Sequence, residues 1–207
     1  MSKLIINELE TFTNFADMKK VAIFASGSGS NAQRIIEYFR DHKEIGIELV
    51  LSNNPQAFVL ERAKRLHVES IVFNRSKFHE PAQLLMFLNE KKIDFIVLAG
   101  FLWLIPNGLL KAYPGRIINI HPALLPKFGG KGMYGMHVHE AVISAGEKES
   151  GITIHRVNEK YDEGEILFQA KCQIDPDETP ESLAGKIHEL EYTYFPQVIE
   201  SVILKNF

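Results

Sequence analysis

The chain has 207 residues, 45% of them apolar and 24% charged, which is the composition of an ordinary globular protein with one sizeable core. Its net charge of -3 at pH 7, without a dense stripe of Lys and Arg, argues against nucleic acid as the main ligand. The longest apolar stretch, residues 95–106, is too short to span a membrane, so we expect no membrane partner. The single cysteine, Cys172, cannot form an intrachain disulfide, which favours a reducing, cytoplasmic compartment.

Residues 1–17 are predicted to be an N-terminal extension. They include acidic residues and lack a continuous apolar centre, so they do not resemble a signal peptide. Strong hydrophobic patterning begins only at Lys20. We therefore assign residues 18–207 to a single domain.

The first half of this domain alternates strands with helices. Residues 21–25 are a continuous apolar run that ends in a glycine turn, and the helix-period residues Ile35, Ile36 and Phe39 follow. The next predicted elements are strand 48–51, helix 57–66, strand 70–73, helix 81–91, strand 94–99, helix 106–112 and strand 117–120. This alternation predicts a parallel sheet covered by helices on both faces.

The order of elements changes after residue 121. A glycine-rich loop at 128–135 and a helix at 137–145 precede two strands, 152–157 and 166–174, whose short connection suggests antiparallel additions to the sheet. A final helix is predicted over 180–204, with Pro196 kinking or dividing it. The fold class is therefore α/β, with a mostly parallel sheet and a Rossmann-like N-terminal half.

The loop Ser-Gly-Ser-Gly-Ser-Asn, residues 26–31, stands where the first strand meets the first helix. Glycines there let backbone amides approach an anion, and the helix dipole favours negative charge. Ser30 or Asn31 can cap the helix or add a side-chain donor. The loop therefore favours a monophosphate on a small substrate, although a turn that needs only its glycines remains an alternative.

With Ala32 the same loop also spells the Gly-x-Gly-x-x-Ala of dinucleotide-binding domains. Such a site needs an acidic residue after the second strand, where the sequence has Ser52, Asn53 and Asn54. Arg62 is a weak candidate for the phosphate of NADP. A dinucleotide is thus the less favoured ligand.

Asn119 and His121 are predicted to point the same way from the strand at 117–120. An amide donor beside a proton-bearing imidazole suits stabilisation of an oxyanion at a carbonyl, although either residue alone is more often a satisfied polar group. Asp162 lies in a glycine-containing turn, which alone indicates only a turn. Together these side chains indicate a catalytic site.

A metal site is not expected. His137 and His139 form a His-x-His pair, but no third and fourth ligands follow at useful spacing. His155 fails the same test and is instead a candidate to support the site from the neighbouring strand.

Five segments occur together: 26–31, Leu-Ala-Gly-Phe at 98–101, Asn-Ile-His-Pro-Ala-Leu-Leu-Pro at 119–126, His-Val-His-Glu-Ala at 137–141 and Tyr-Asp-Glu-Gly-Glu-Ile-Leu at 161–167. In this combination they resemble the phosphoribosylglycinamide formyltransferase family, over residues 18–205. The resemblance implies the formyltransferase fold, with a largely parallel seven-stranded sheet flanked by helices. It also implies transfer of a formyl group from the co-substrate 10-formyltetrahydrofolate to the amine of 5'-phosphoribosylglycinamide, in de novo purine synthesis.

The resemblance also implies roles for individual residues. The catalytic residues would be Asn119, His121 and Asp162. The substrate phosphate would be bound by Gly29, Ser30 and Asn31. Glu191 would lie near the substrate ribose. The folate would contact Leu102, Trp103, Leu104, Ile105, Asn119, Asn158, Glu159, Lys160, Tyr161 and Asp162. Arg75 and Lys77 are candidates for the folate tail, and Trp103 replaces a residue that is often arginine in bacterial members.

In the implied reaction, Asn119 and a protonated His121 stabilise the charge that gathers on the formyl oxygen. Asp162 is expected to raise the pKa of His121 and to position a water that moves a proton. The alternatives are a formyltetrahydrofolate hydrolase, a transfer-RNA formyltransferase and a non-catalytic dinucleotide-binding domain. We expect small-molecule partners and a monomer or homodimer.

Overall fold

A seven-stranded sheet with helices on both faces forms the centre of the computed structural model, which describes residues 18–206. The strands are β1 (Lys19–Phe24), β2 (Ile45–Ser52), β3 (Glu69–Val72), β4 (Phe95–Leu98), β5 (Ile117–His121), β6 (Glu149–Arg156) and β7 (Ile166–Gln173). The helices are α1 (Ser30–Tyr38), α2 (Phe58–Arg65), α3 (Arg75–His79), α4 (Ala82–Glu90), α5 (Asn107–Ala112), α6 (Met136–Ser144) and α7 (Pro180–Asn206). The extension predicted for residues 1–17 lies outside the described residues.

The strand order is β3-β2-β1-β4-β5-β6-β7. Neighbouring strands from β3 to β5 are parallel, whereas β6 is antiparallel to both β5 and β7. The predicted α/β class, the Rossmann-like first half and the antiparallel additions are therefore confirmed. The order reverses between β1 and β4, and in open α/β sheets ligands bind at the carboxyl ends of the strands beside such a reversal.

Alternate residues of the inner strands face two separate cores. On β1, Val21 and Ile23 join the core that contains α1, α2, α6 and α7. Ala22 and Phe24 of the same strand join the core that contains α3, α4 and α5. Because both faces are buried, the inner strands are continuous apolar runs in the sequence.

Some elements differ from the sequence prediction. The short helix α3 precedes α4, where one helix over 81–91 is predicted, and Asn74 caps α3 by accepting a hydrogen bond from a backbone N–H at 3.0 Å. Strands β2 and β6 begin at Ile45 and Glu149, earlier than predicted, because pairing to neighbouring strands continues past the apolar runs. Helix α7 is continuous, so Pro196 does not divide it. Within residues 18–206 no helix is long and apolar enough to cross a membrane.

Candidate active site

Asn119 and His121 both line a cavity of about 430 Å³ beside the carboxyl end of β5. They share a face because alternate residues of a strand point the same way. Asn119 is half-buried, whereas His121 is only 3% exposed. The cavity wall thus combines an accessible amide with a largely desolvated imidazole.

Asp162 reaches this pair from the loop between β6 and β7. Its backbone is in the left-handed region, with φ of 55°, a conformation that Asp adopts more readily than most residues. Its Oδ1 accepts from Asn119 Nδ2 at 3.4 Å, and its Oδ2 lies 3.5 Å from His121 Nδ1. The Gly130 N–H donates to Oδ2 at 2.9 Å. The three side chains that the family resemblance implies to be catalytic therefore form one cluster.

His155 joins the cluster from β6, where it pairs with Asn119. Its Nδ1 lies 2.9 Å from the Arg156 carbonyl oxygen, which can only accept, so Nδ1 carries the proton. In the neutral ring Nε2 is then an acceptor, and it takes a hydrogen bond from Asn119 Nδ2 at 3.1 Å. His155 therefore helps to orient the Asn119 amide.

Burial lowers the pKa of His121, although the charge of Asp162 and the hydrogen bond to the Phe128 carbonyl act to raise it. Asp162 thus acts on the pKa of His121 in the expected direction, but desolvation of the ring outweighs the carboxylate and the net pKa is lowered. His121 Nε2 lies 2.8 Å from Phe128 O and so carries the proton of the neutral ring. Nδ1, which faces Asp162, is the nitrogen that gains the second proton.

Asp162 has a lowered pKa. Burial acts to raise it, but the nearby rings of His155 and His121 and the hydrogen bond from the Gly130 N–H together outweigh burial. Asp162 is therefore ionised at neutral pH and faces the titrating nitrogen of His121.

The segment after β4 forms the apolar wall of the same cavity. Leu102, Trp103, Leu104 and Ile105 all line it, and Ser26 Oγ accepts a hydrogen bond from the Leu102 backbone N–H at 3.1 Å. Leu102 and Leu104 are exposed, whereas Ile105 is 3% exposed and belongs to the core. The apolar wall therefore combines exposed leucine side chains with an isoleucine that is packed in the core.

Trp103 and Arg75 lie together at this wall. The Arg75 guanidinium lies 5.7 Å from the centroid of the Trp103 ring, and both residues line the cavity. Lys77 does not line it. Of the two cations considered for a folate tail, only Arg75 is therefore placed at the cavity.

The predicted folate loop faces the cavity only in its second half. Lys160, Tyr161 and Asp162 line the cavity, whereas Asn158 and Glu159 do not. Asn158 instead holds the shape of the loop, because its side chain donates to a loop carbonyl at 3.1 Å and accepts from the Lys160 N–H at 2.9 Å.

A second cavity, of about 310 Å³, adjoins the first and is lined by the glycine loop, including Gly29, Ser30 and Asn31. Gly29 is the N-cap of α1, without a side-chain capping bond, so neither Ser30 nor Asn31 caps the helix. The first-turn amides of α1 therefore face a cavity without a capping side chain, which suits an anion. The two cavities share the lining residues Gly100, Leu102, Ile120 and Tyr134.

Arg62 supports the glycine loop from α2. Its Nε donates to Ser28 O at 2.8 Å, and its guanidinium also donates to Gln33. Arg62 lines neither cavity. This arrangement weakens the NADP interpretation, because the arginine considered for it already binds the protein backbone.

Glu191 is 6% exposed and lines the second cavity. Burial raises its pKa to about 7, although a hydrogen bond from Asn31 Nδ2 at 2.8 Å acts to lower it. The carboxyl group is thus partly protonated at neutral pH. Such a group can donate to or accept from a hydroxyl.

Replacing Glu191 with Gln is expected to stabilise the fold at pH 8 by about 3 kcal/mol and to change it little at pH 5. A raised carboxyl pKa destabilises the folded state as the pH rises from about 4.5 through about 7, and Gln removes that cost. Urea unfolding at the two pH values measures the difference. Equal effects at pH 5 and pH 8 would show that ionisation of Glu191 is not the cause.

Within residues 18–206, no group of three or more His, Cys, Asp or Glu side chains is placed to hold a metal ion. The side chains of His137 and His139 do not face a common site. The His137 side chain is 63% exposed and pairs with Glu140, whereas His139 is 3% exposed and lines the second cavity.

The structure adds residues that the sequence reasoning missed. His139 and His188 line the second cavity, and Tyr134 lies between the two cavities. His188 is one helical turn before Glu191 on α7, and the i, i+3 spacing of a helix could have identified it. His139 belongs to the His-Val-His-Glu-Ala segment, but its spacing alone is considered only for a metal site, so its place beside the glycine loop is not evident from the sequence.

The formyl transferase family model matches residues 19–199, and the chain belongs to that family. Among its relatives, the phosphoribosylglycinamide formyltransferase of Bacillus subtilis is 38% identical over 194 residues, which cover 91% of this chain and 97% of that protein. The chloroplastic phosphoribosylglycinamide formyltransferase of Arabidopsis thaliana is 39% identical over 204 residues, covering 96% of this chain and 70% of that protein.

Solved structures agree with these relatives. The phosphoribosylglycinamide formyltransferase from Bacillus halodurans has a TM-score of 0.82 and 38% identity, over 91% of this chain and 97% of that one. That from Streptococcus pneumoniae TIGR4 has a TM-score of 0.79 and 40% identity, over 90% and 99%. The family and fold predicted from the sequence are confirmed.

Proposed function

We propose that the chain transfers the formyl group of 10-formyltetrahydrofolate to the amine of 5'-phosphoribosylglycinamide, a step of de novo purine synthesis. Similarity to proteins of that name over most of both chains supports this substrate pair. In the structure, the proposal rests on two adjoining cavities, one with an apolar wall and the Asn119, His121 and Asp162 cluster, the other lined by the glycine loop. Their shared wall lets two substrates meet.

The smaller cavity would hold the phosphoribosyl group. Gly29, Ser30 and Asn31 would bind its phosphate through backbone amides, and Glu191 would meet the ribose hydroxyls. The larger cavity would hold the folate. Its contacts would come from Leu102, Trp103, Leu104, Ile105, Asn119, Lys160, Tyr161 and Asp162, with Asn158 and Glu159 acting only through the shape of their loop.

In the proposed mechanism the substrate amine attacks the formyl carbon, a carbon–nitrogen bond forms, and negative charge gathers on the formyl oxygen. Asn119 Nδ2, in place of its long 3.4 Å bond to Asp162, and the newly protonated Nδ1 of His121 donate to that oxygen. Asp162 Oδ2, 3.5 Å from His121 Nδ1, stabilises the ring as it gains a proton. The proton that His121 gains is the one lost by the amine, passed through a water at Asp162; when the bond from the formyl carbon to the folate nitrogen breaks, the same proton passes back through that water to the folate nitrogen.

The neutral resting state of His121 fits this sequence of events. Burial keeps the free imidazole uncharged, so its positive charge develops together with the charge on the formyl oxygen. Stabilisation is then stronger in the transition state than in the ground state, which is the condition for acceleration.

The test is formyl transfer from 10-formyl-dideazafolate, whose deformylation is followed by absorbance, with and without phosphoribosylglycinamide. We expect deformylation only when the acceptor is present. Deformylation without the acceptor would instead identify a hydrolase. Absence of reaction in both, together with NAD(P) binding, would identify a dinucleotide-binding domain.

We also propose that residues 18–207 are one domain that acts in the cytoplasm as a monomer or homodimer. The single cysteine supports a reducing compartment. Light scattering of the purified chain at several concentrations measures the assembly.

A further inference from the structure

No Lys or Arg is among the residues of 18–206 that line the smaller cavity. In that part of the chain, the lining side chains able to become positive are those of His139 and His188. A phosphate monoester carries between one and two negative charges at neutral pH. Backbone amides and the α1 dipole supply only partial charges to oppose them.

The buried ring of His139 has a nitrogen atom without a hydrogen-bond partner among the described residues. Its side chain is 3% exposed, it lines the cavity, and its Nδ1 has no hydrogen-bond partner among the described residues. Buried ring nitrogens without partners are uncommon, because losing water without a replacement bond costs free energy. Nδ1 is itself enclosed by protein atoms, so the ring would have to turn towards the cavity for a phosphate oxygen to become its partner.

His188 lies at the exposed rim of the same cavity, one turn before Glu191 on α7. Its ring stacks on Tyr192 at 5.8 Å, and the Arg34 guanidinium lies 5.2 Å from the same tyrosine ring. The stacking on Tyr192 thus holds the His188 ring at the opening of the smaller cavity, where it can contact an anion bound inside.

The two histidines that line the cavity are largely uncharged at neutral pH, whereas Glu191 is partly ionised. Burial lowers the pKa of His139 to about 4, with His188 and His121 adding to the effect, and burial lowers the pKa of His188 as well. Glu191 faces them with a pKa raised to about 7. An entering dianion favours the protonated form of all three groups.

We propose that His139 and His188 take up protons when a sugar phosphate binds, and so become the cationic donors of a site whose described lining residues include no Lys or Arg. The proposal rests on the proposed function for the location of the phosphate. Its consequence is that phosphate affinity increases as the pH falls from 8 towards 6.5, because binding is then coupled to proton uptake.

Calorimetry with ribose 5-phosphate at pH 7, in two phosphate-free buffers of different ionisation enthalpy, measures the protons taken up. We expect uptake of about half a proton or more per bound sugar phosphate in the unmodified chain. His139→Gln and His188→Gln should each reduce the uptake and weaken binding by about tenfold. His137→Gln, on the same helix but exposed, should change neither.

Glu191→Gln distinguishes proton uptake by the histidines from proton uptake by the Glu191 carboxyl group. Proton uptake on binding should persist in this variant. Ribose 5-phosphate binding without proton uptake would overturn this inference and leave the proposed function standing. Uptake that disappears in Glu191→Gln but persists in both histidine variants would overturn it too. Absence of ribose 5-phosphate binding would overturn both the inference and the assignment of this cavity to the phosphoribosyl group.

Discussion

Asp162→Asn is expected to lower kcat by about 10³-fold, and His121→Ala by a similar factor, since each removes charge stabilisation at the reacting carbonyl. The asparagine side chain would keep the shape of Asp162 but lose the negative charge that opposes the effect of burial on His121. The pKa of His121 should therefore fall further in Asp162→Asn. Turnover then suffers more than binding, because the lost interaction belongs to the transition state.

The fold should persist in these variants. Asparagine tolerates the left-handed backbone that Asp162 adopts, and its amide oxygen can still accept the Gly130 N–H. In both variants, urea unfolding should show a decrease of less than about 2 kcal/mol in the free energy of unfolding. Trp103 is the single tryptophan and lines the folate cavity, so quenching of its fluorescence reports folate binding independently of turnover.

Glu163→Gln is the matched control for Asp162→Asn. Glu163 is adjacent in the same loop, its side chain is 60% exposed, and it pairs with Lys160 at 2.9 Å rather than with the cluster. Its replacement should leave kcat within about twofold, because an exposed ion pair contributes little. Unchanged turnover in Asp162→Asn would remove the carboxylate from the mechanism and leave Asn119 and His121 to be tested separately.

The fold and the catalytic cluster are predicted from different features of the sequence. Alternating buried strands and helices predict the parallel half of the sheet, and the period of a strand places Asn119 and His121 on one face. Asp162 could not be placed by periodicity, because the loop that carries it turns back against β5 in a left-handed conformation. Only the family resemblance connects it to the pair.

Burial is the property that sequence reasoning lacked. The neighbouring carboxylate is visible in the motif, but the desolvation that gives His121 a lowered net pKa depends on packing from several elements. The same limitation applies to His139 and His188, which meet the glycine loop only after α7 packs against both α6 and α1. The family resemblance places Asn158 and Glu159 in the folate loop, but only the second half of that loop lines the cavity.

Gly29→Ala is expected to reduce the free energy of unfolding by about 2–4 kcal/mol and to raise KM for phosphoribosylglycinamide at least about tenfold. Gly29 has φ of 73°, and an added Cβ would lie 2.4 Å from Val59 Cγ2 and 2.8 Å from its Cα. The second contact is with backbone, so rotation of the valine side chain cannot relieve it. Either α2 or the glycine loop must move.

The effect should reach the substrate because the two residues just before Gly29 are hydrogen-bonded to α2. Val59 N–H donates to Gly27 O at 3.1 Å, and Arg62 donates to Ser28 O at 2.8 Å. Displacing the loop therefore moves the amides that would bind the phosphate, whereas the folate cavity keeps its apolar wall. KM for the folate donor should change by less than about threefold, which distinguishes a local defect from general loss of structure.

Gly27→Ala is the control within the same loop. An added Cβ at Gly27 meets no heavy atom within 4 Å, and its φ lies outside the positive region, so the unfolding free energy should change by less than about 1 kcal/mol. Urea unfolding and initial rates with each substrate varied in turn measure both variants. If Gly29→Ala is as stable as Gly27→Ala and its KM is unchanged, the close approach to α2 does not determine the shape of the loop. If stability falls while KM is unchanged, the phosphate is bound elsewhere, because a displaced loop could not keep its amides on the same ligand.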